Sequence, residues 1–221
     1  MTQAASLKPI DLLVFDLDGT LLDSFGQLVT SLNLALKACD LEETDPQRLH
    51  DLFHQGTKHL LKDLVGDDPE LHKKIQHHYF SIYRDQMHAS QLFPGVVEML
   101  TALKKIKRLA LLTNKQEKTT HLLLEHHHLN NIFEVIIGGD SLPTRKPSPV
   151  PLEHICASMH TLTKNAAMIG DSFNDIESGH AAGALTIAVL NGNGAYTKIG
   201  PQPDMTLDHV ADLTSLFCHT Q

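Results

Sequence analysis

Cysteine is scarce in this chain, cationic charge is in deficit, and apolar runs are short. Each shortage closes off a class of function. The three cysteines, Cys39, Cys156 and Cys218, are scattered and odd in number, which argues against a disulfide framework and for a reducing compartment. Lysine and arginine total 18 against 26 aspartates and glutamates, a formal net charge of −8. A phosphate-backbone binder needs clustered Lys and Arg, so no nucleic-acid partner is expected. No run approaches the roughly 18 apolar residues of a membrane helix. The opening MTQAASLKPI lacks a basic region followed by an apolar core, so neither a signal peptide nor a membrane partner is expected.

What is present suits a globular protein. Of 221 residues, 42% are hydrophobic and 20% charged, enough apolar matter for a sizeable core. The expectation is a soluble, cytoplasmic monomer or homodimer, built as one globular unit or as one with an insertion. The 16 histidines include HHH at 126–128, but consecutive helical residues point in different directions and cannot easily converge on one ion. His50 and His54 have i, i+4 spacing without an evident third ligand. These histidines read as surface residues.

The stretch DLLVFDLDGTLLDS, residues 11–24, raises the functional question. Leu12 to Phe15 form a short apolar run closed by Gly19, which suits a strand buried on both faces. Asp16 and Asp18 follow it directly, and carboxylates are costly to bury unless paired or metal-bound. The text then turns helical: FGQLVTSLNLALKACD places Leu28, Leu32, Ala35 and Leu36 on one face, and helical patterning continues to about residue 88. From FPGVVEML onward helices alternate with apolar strands at KRLALLTN, FEVIIGGD, AAMIGDS and ALTIAVL, with DMTLD as a short edge strand and a last helix at 209–218. Strand–helix alternation predicts βαβ units and a parallel sheet.

The predicted fold class is therefore α/β, a Rossmann-like doubly wound parallel sheet with an inserted all-helical cap. Residues 1–21 and 90–221 would form the core and 22–89 the cap, with hinges near Leu22–Ser24 and His88–Phe93. Cap residues Leu60, Leu61 and Leu64 read as core.

Such sheets bind ligands outside the carboxyl ends of their strands. Those ends and the adjoining loops carry Asp16 and Asp18, Thr113 and Asn114, Lys146, and Asp171 and Asp175. Crowded carboxylates repel, and Mg²⁺ with its oxygen-rich octahedral shell would relieve them. Asp16 and Asp171 can supply carboxylate oxygens, and Lys146 can neutralise a phosphate. Thr113 and backbone N–H groups at the next helix start can hydrogen-bond its oxygens. A carboxylate can attack phosphorus to form an aspartyl-phosphate, and a second can protonate the leaving alcohol and later deprotonate water. A turn at Gly19 would rotate Asp18 toward the leaving group, and Thr20 can hydrogen-bond locally. Taken singly these residues have blander readings: Asp171 or Ser172 as a helix cap, Asp175 as a response to the helix dipole, Lys146 as surface charge.

FDLDGTLLDS, LLTNK, RKPSP and GDSFNDIESGHAAG, in this order and spacing, together resemble the haloacid dehalogenase-like phosphatases. The resemblance spans nearly the whole chain, cap included. It implies Asp16 as nucleophile and Asp18 as acid/base, with the Asp18 main-chain carbonyl also on Mg²⁺. It implies phosphate binding by Thr113, Asn114 and Lys146, metal binding by Asp171, and support of the metal shell by Asp175. The name-giving dehalogenases lack the second aspartate, so Asp18 favours phosphoryl transfer.

LFPGVVEMLTALK, IIGGDSLPTRKPSPVPL and PDMTLDHVADL are similar to the phosphoglycolate phosphatase subgroup, which implies 2-phosphoglycolate as the small phosphorylated metabolite. The cap text FHQGTKHLLKDLVGDD keeps Gly56 but surrounds it with His54, Lys58, His59 and Lys62, and VLNGNGAYT also departs from the subgroup. A solvated face and a substrate clamp are both open for these cap cations; Gly56, Lys58 and Lys62 are the candidate specificity residues. The rival functions are a broad sugar-phosphate or nucleotide phosphatase, a pyrophosphatase, a phosphomutase, and a non-catalytic binding protein on the same fold.

Overall fold

Four consecutive apolar residues make β1 (Leu12–Phe15), and all four are fully buried. Successive side chains of a strand point to opposite faces, so a run apolar throughout demands cover on both sides. The computed structural model describes residues 10–53, 57–191 and 201–218. After β1 come β2 (Leu22–Asp23), α1 (Phe25–Lys37), α2 (Pro46–Phe53), α3 (Thr57–Val65), α4 (Pro69–Gln86), β3 (Gln91–Leu92), α5 (Val96–Leu103), β4 (Arg108–Leu112), α6 (Glu117–His126), β5 (Val135–Ile137), α7 (Val150–Ser158), β6 (Ala166–Gly170), α8 (Phe173–Ala182), β7 (Leu185–Val189), β8 (Met205–Leu207) and α9 (Leu213–Cys218).

The main sheet has the order β5-β4-β1-β6-β7-β8, and every neighbouring pair is parallel. Leu12 sits opposite Arg108 of β4 on one side and Ala166 of β6 on the other. Counting the six strands along the chain, the order is 3-2-1-4-5-6, the doubly wound arrangement. The connections leave β1 in opposite directions, so its carboxyl end is the natural crevice. On one face Leu12, Val14, Ala110, Leu112 and Met168 pack with Leu152, Ile155 and Cys156 of α7. On the other, Phe15 meets the ring of Phe133 at 6.3 Å between centroids.

The chain divides into two compact units, one from Leu22 to Gln91 and the other holding the segments before and after it. Among the described residues of 22–91 the regular structure is helical apart from the two-residue strands β2 and β3, which pair with each other and are too short to leave a periodic signal. Within this unit Leu32, Ala35 and Leu36 of α1 form a core with Leu49, Leu60, Leu61 and Ile75, and Leu64 packs against it half-buried. Among the described residues no helix is long and apolar enough to cross a membrane.

Helix α8 lies close against the sheet because Gly179 lacks a side chain: a Cβ there would stand 2.5 Å from Thr186 Cγ2 and 3.1 Å from Met168 Cβ. Replacing it should overpack this contact. Gly179→Ala is expected to cost about 1–3 kcal/mol, read as a lowered urea midpoint. Gly26→Ala, at an exposed position of α1 with nothing within 4 Å of the new methyl, should leave the midpoint unchanged or raise it, since alanine is the better helix former.

Candidate active site

Directly beyond β1 the Asp16 N–H still donates to Ile169 O at 2.9 Å. The ladder thus fixes the backbone of a residue whose carboxyl has left the sheet. Asp16 is buried, at 8% exposure. Its neighbour is Lys146, a fully enclosed lysine from the loop after β5. The Lys146 ammonium donates to Leu112 O at 2.7 Å and to Asp175 Oδ1 at 2.5 Å. It also forms an ion pair with Asp16 Oδ1 at 2.8 Å. Asp175, buried in the first turn of α8, spends its other oxygen on a capping box, accepting from the Ser172 N–H at 3.0 Å and the Ser172 hydroxyl at 2.6 Å. Asp175 is therefore both a helix-start residue and a partner of Lys146.

Asp16, Asp171 and Asp175 bring carboxylate oxygens within 4.8 Å of one another, and among the described residues this is the group able to hold a metal ion. No histidine joins it; His126 and His127 instead meet edge-on at 4.8 Å between ring centroids. Asp171 is half-buried as a residue, with its carboxyl turned into the enclosed cluster. Crowding and burial set the charge states. Burial, opposed by Lys146 and reinforced by Asp175 and Asp18, leaves Asp16 raised to about 7. Burial, then Asp175 and Asp16, push Asp171 well above the usual carboxylate range. Burial alone would lower Lys146, but Asp16 and Asp175 outweigh it and hold the ammonium above its ordinary value. Three carboxylates against one ammonium leave an excess of negative charge when all are ionised, and their hard oxygen donors suit Mg²⁺.

The turn after Asp16 is shaped by this cluster. Gly19 stands at φ +76°, and a Cβ on it would fall 2.1 Å from Asp171 Oδ2. Only glycine allows that approach without strain. Thr20 bonds across the sheet rather than locally: its hydroxyl donates to Asp171 Oδ1 at 3.1 Å, 151 residues along the chain. Asp18 forms an ion pair with Lys115 at 2.9 Å. No role was expected of Lys115; its position just past the TN at a strand end was the available signal. Asn191, two residues past β7, donates its amide to Gly19 O and Thr20 O. It too follows a strand end and was not singled out from its residue type.

Thr113 is buried at the end of β4, where its hydroxyl accepts from the Lys115 N–H at 3.2 Å. Asn114 donates to Lys146 O at 2.9 Å, tying two of the expected phosphate-binding residues together. At the start of α6 the Glu117 N–H donates to Asp140 Oδ1 at 2.7 Å, so this one helix-start donor is already used. Of the cap candidates, Lys62 is exposed and paired with Asp67 at 3.0 Å. Gly56 and the Lys58 side chain lie outside the described residues, as does His54.

This geometry has counterparts among known proteins. The family described as haloacid dehalogenase-like hydrolase matches residues 13–189. A phosphoglycolate phosphatase of Chromobacterium violaceum is 33% identical over 220 residues, 96% of this chain and 98% of the relative. One from Nitrosospira multiformis is 35% identical over 83% of this chain and 85% of the relative. The crystal structure of a predicted phosphoglycolate phosphatase from Haemophilus somnus superimposes with a TM-score of 0.85 at 28% identity, covering 96% of this chain and 99% of that one. With the matched region taking in the strand-end carboxylates, the lysine and the parallel sheet that gathers them, this chain belongs to the haloacid dehalogenase-like hydrolases.

Proposed function

We propose that the protein is a Mg²⁺-dependent phosphomonoester hydrolase that works through an aspartyl-phosphate on Asp16, with 2-phosphoglycolate as its substrate. The observation that carries this reading is the placement of the buried Asp16 carboxyl 2.8 Å from the Lys146 ammonium, beside Asp171 and Asp175, at the central crevice of the sheet. The names of its relatives support the substrate.

In this reading an ionised Asp16 oxygen attacks phosphorus as the ester P–O bond breaks. The departing alkoxide takes a proton from Asp18. Asp18 then removes a proton from water, whose oxygen attacks the same phosphorus; inorganic phosphate leaves and the Asp16 carboxylate is restored. Lys146 favours the ionised nucleophile and neutralises phosphate charge, aided by Thr113 and Asn114.

Asp16 and Asp171 would hold the ion, with the Asp18 main-chain carbonyl, and Asp175 would support the shell from behind through Ser172 and Lys146. A bound Mg²⁺ supplies positive charge that offsets the crowded carboxylates and the phosphate oxygens. The helical unit from Leu22 to Gln91 would serve as a cap that excludes water while the phosphoenzyme exists. Lys58 and Lys62 on α3 would read the second anion of the substrate.

Three measurements bear on this. Asked of a panel of phosphate esters with Mg²⁺, kcat/KM should be dominated by phosphoglycolate and fall by about three orders of magnitude or more in Asp16→Asn. A flat profile that Asp16→Asn still abolishes would keep the chemistry and discard the substrate, leaving the broader phosphatases as the reading. Mg²⁺ should raise Tm more at pH 8 than at pH 5.5: burial keeps Asp16 protonated until about pH 7, so at low pH the ion competes with a proton. Equal shifts at both pH values would remove the carboxylate cluster as the binding site. Finally, Lys58→Ala or Lys62→Ala should raise KM for phosphoglycolate about tenfold while sparing an uncharged ester, about the worth of one charge-assisted bond; unchanged KM in both would end the cap-cation reading.

A further inference from the structure

The turn that carries Asp18 is held by a residue that follows a distant strand. Asn191 is buried, at 8% exposure, with φ +42°, a left-handed conformation that asparagine tolerates better than most residues. Its side-chain amide donates to Gly19 O and to Thr20 O, each at 2.9 Å, and its carbonyl oxygen accepts from the Val210 N–H at 2.9 Å. Its own N–H donates to Asp208 O at 2.9 Å. Both amide hydrogens and the amide oxygen are thus committed, and they join residues 19–20 to a segment about 190 positions further along the chain. The opposite side of the turn is fixed by the Thr20 hydroxyl on Asp171.

Gly19 is the residue of this turn with the widest backbone freedom, and it has no side chain with which to lock itself. Its conformation therefore depends on bonds from outside. The two carbonyls that Asn191 holds are those of the residues immediately following Asp18, so they restrain the backbone from which the Asp18 carboxyl extends to its ion pair with Lys115.

We propose that Asn191 is a positioning residue for proton transfer: it clamps the Gly19 and Thr20 carbonyls and thereby aims the Asp18 carboxyl at the leaving oxygen. The proposal rests on the reading of Asp18 as the acid. A misaimed acid harms esters in proportion to how much their leaving group needs a proton, whereas general loosening of the fold harms all esters alike.

The test compares kcat/KM for a simple alkyl phosphate, whose alkoxide must be protonated, with that for p-nitrophenyl phosphate, whose phenolate departs unaided. Asn191→Asp is nearly isosteric but replaces both donors with an acceptor oxygen and adds a charge; Asn191→Ala removes the clamp without adding one; Asp18→Asn is the reference. Because kcat/KM reports the steps up to release of the alcohol, hydrolysis of the phosphoenzyme does not enter. The ratio of the two esters within one preparation is also independent of the folded fraction. In Asn191→Asp and Asn191→Ala the alkyl ester should lose about 10- to 100-fold more than the aryl ester, in the same sense as Asp18→Asn and within the range of general acid catalysis. If Asp18→Asn shows that bias and the Asn191 variants slow both esters equally, or neither, positioning by Asn191 is wrong while the acid assignment stands. If Asp18→Asn itself shows no bias, the acid assignment fails and the proposal falls with it.

Discussion

The contact on which the rest of this site depends is the enclosed ammonium of Lys146. An ionised carboxylate taken out of water is strongly disfavoured unless it finds a partner, and here three carboxyls converge within 4.8 Å. Lys146 answers two of them directly, Asp16 and Asp175, and fastens itself to the sheet through Leu112 O. The arrangement works in both directions, since the same two carboxylates keep a buried lysine charged against the desolvation that would otherwise neutralise it. Removing one member of such a group leaves the others uncompensated, typically at a cost of about 3–5 kcal/mol. The electrostatics that would serve catalysis and those that hold the strand ends together are thus the same interactions.

Crowding survives this pairing, and it shows on Asp16 and Asp171, whose carboxyls are both held above the usual carboxylate range. Asp175 has committed both of its oxygens to Lys146 and to the Ser172 cap. Asp18 is matched separately by Lys115. The chain therefore sorts four carboxylates that lie close in the fold into distinct environments: one beside an ammonium at the central strand, one against the glycine turn, one inside a helix cap, and one in an outlying ion pair.

The strand run from Leu12 to Phe15 and the carboxylates at its end were legible because both consequences are local: continuous apolar text needs cover on two faces, and polar residues directly beyond it must lie at the rim. The alternation of strands and helices likewise identified which residues share that rim. Pairings across the rim were not legible. Thr20 reads as a residue that bonds its own turn, yet its partner is Asp171. Helix-start N–H groups read as free to hold an anion, yet Asp140 takes the one from Glu117. Lys115 and Asn191 carry no signal of their own, because their importance depends on which carbonyl or carboxylate the sheet order brings opposite them. For Asp175 the helix-start reading does not exclude a second contact, since one oxygen serves the Ser172 cap and the other Lys146.

A common device runs through these long-range links. Where a strand ends, its last carbonyls lose their ladder partners, and a buried carbonyl without a donor is unfavourable. Lys146 donates to Leu112 O, Asn114 to Lys146 O, and Asn191 to Gly19 O and Thr20 O. Each of these bonds satisfies backbone at a strand end or in a loop beside it, and each also holds a segment that carries a site residue. Asparagine and lysine at such positions therefore have a structural reason to be there that is independent of any ligand. It follows that a loss of activity on substituting them cannot, taken alone, separate contact with substrate from the fixing of a loop. Only a readout that follows the chemistry itself, such as dependence on the leaving group or on pH, divides the two.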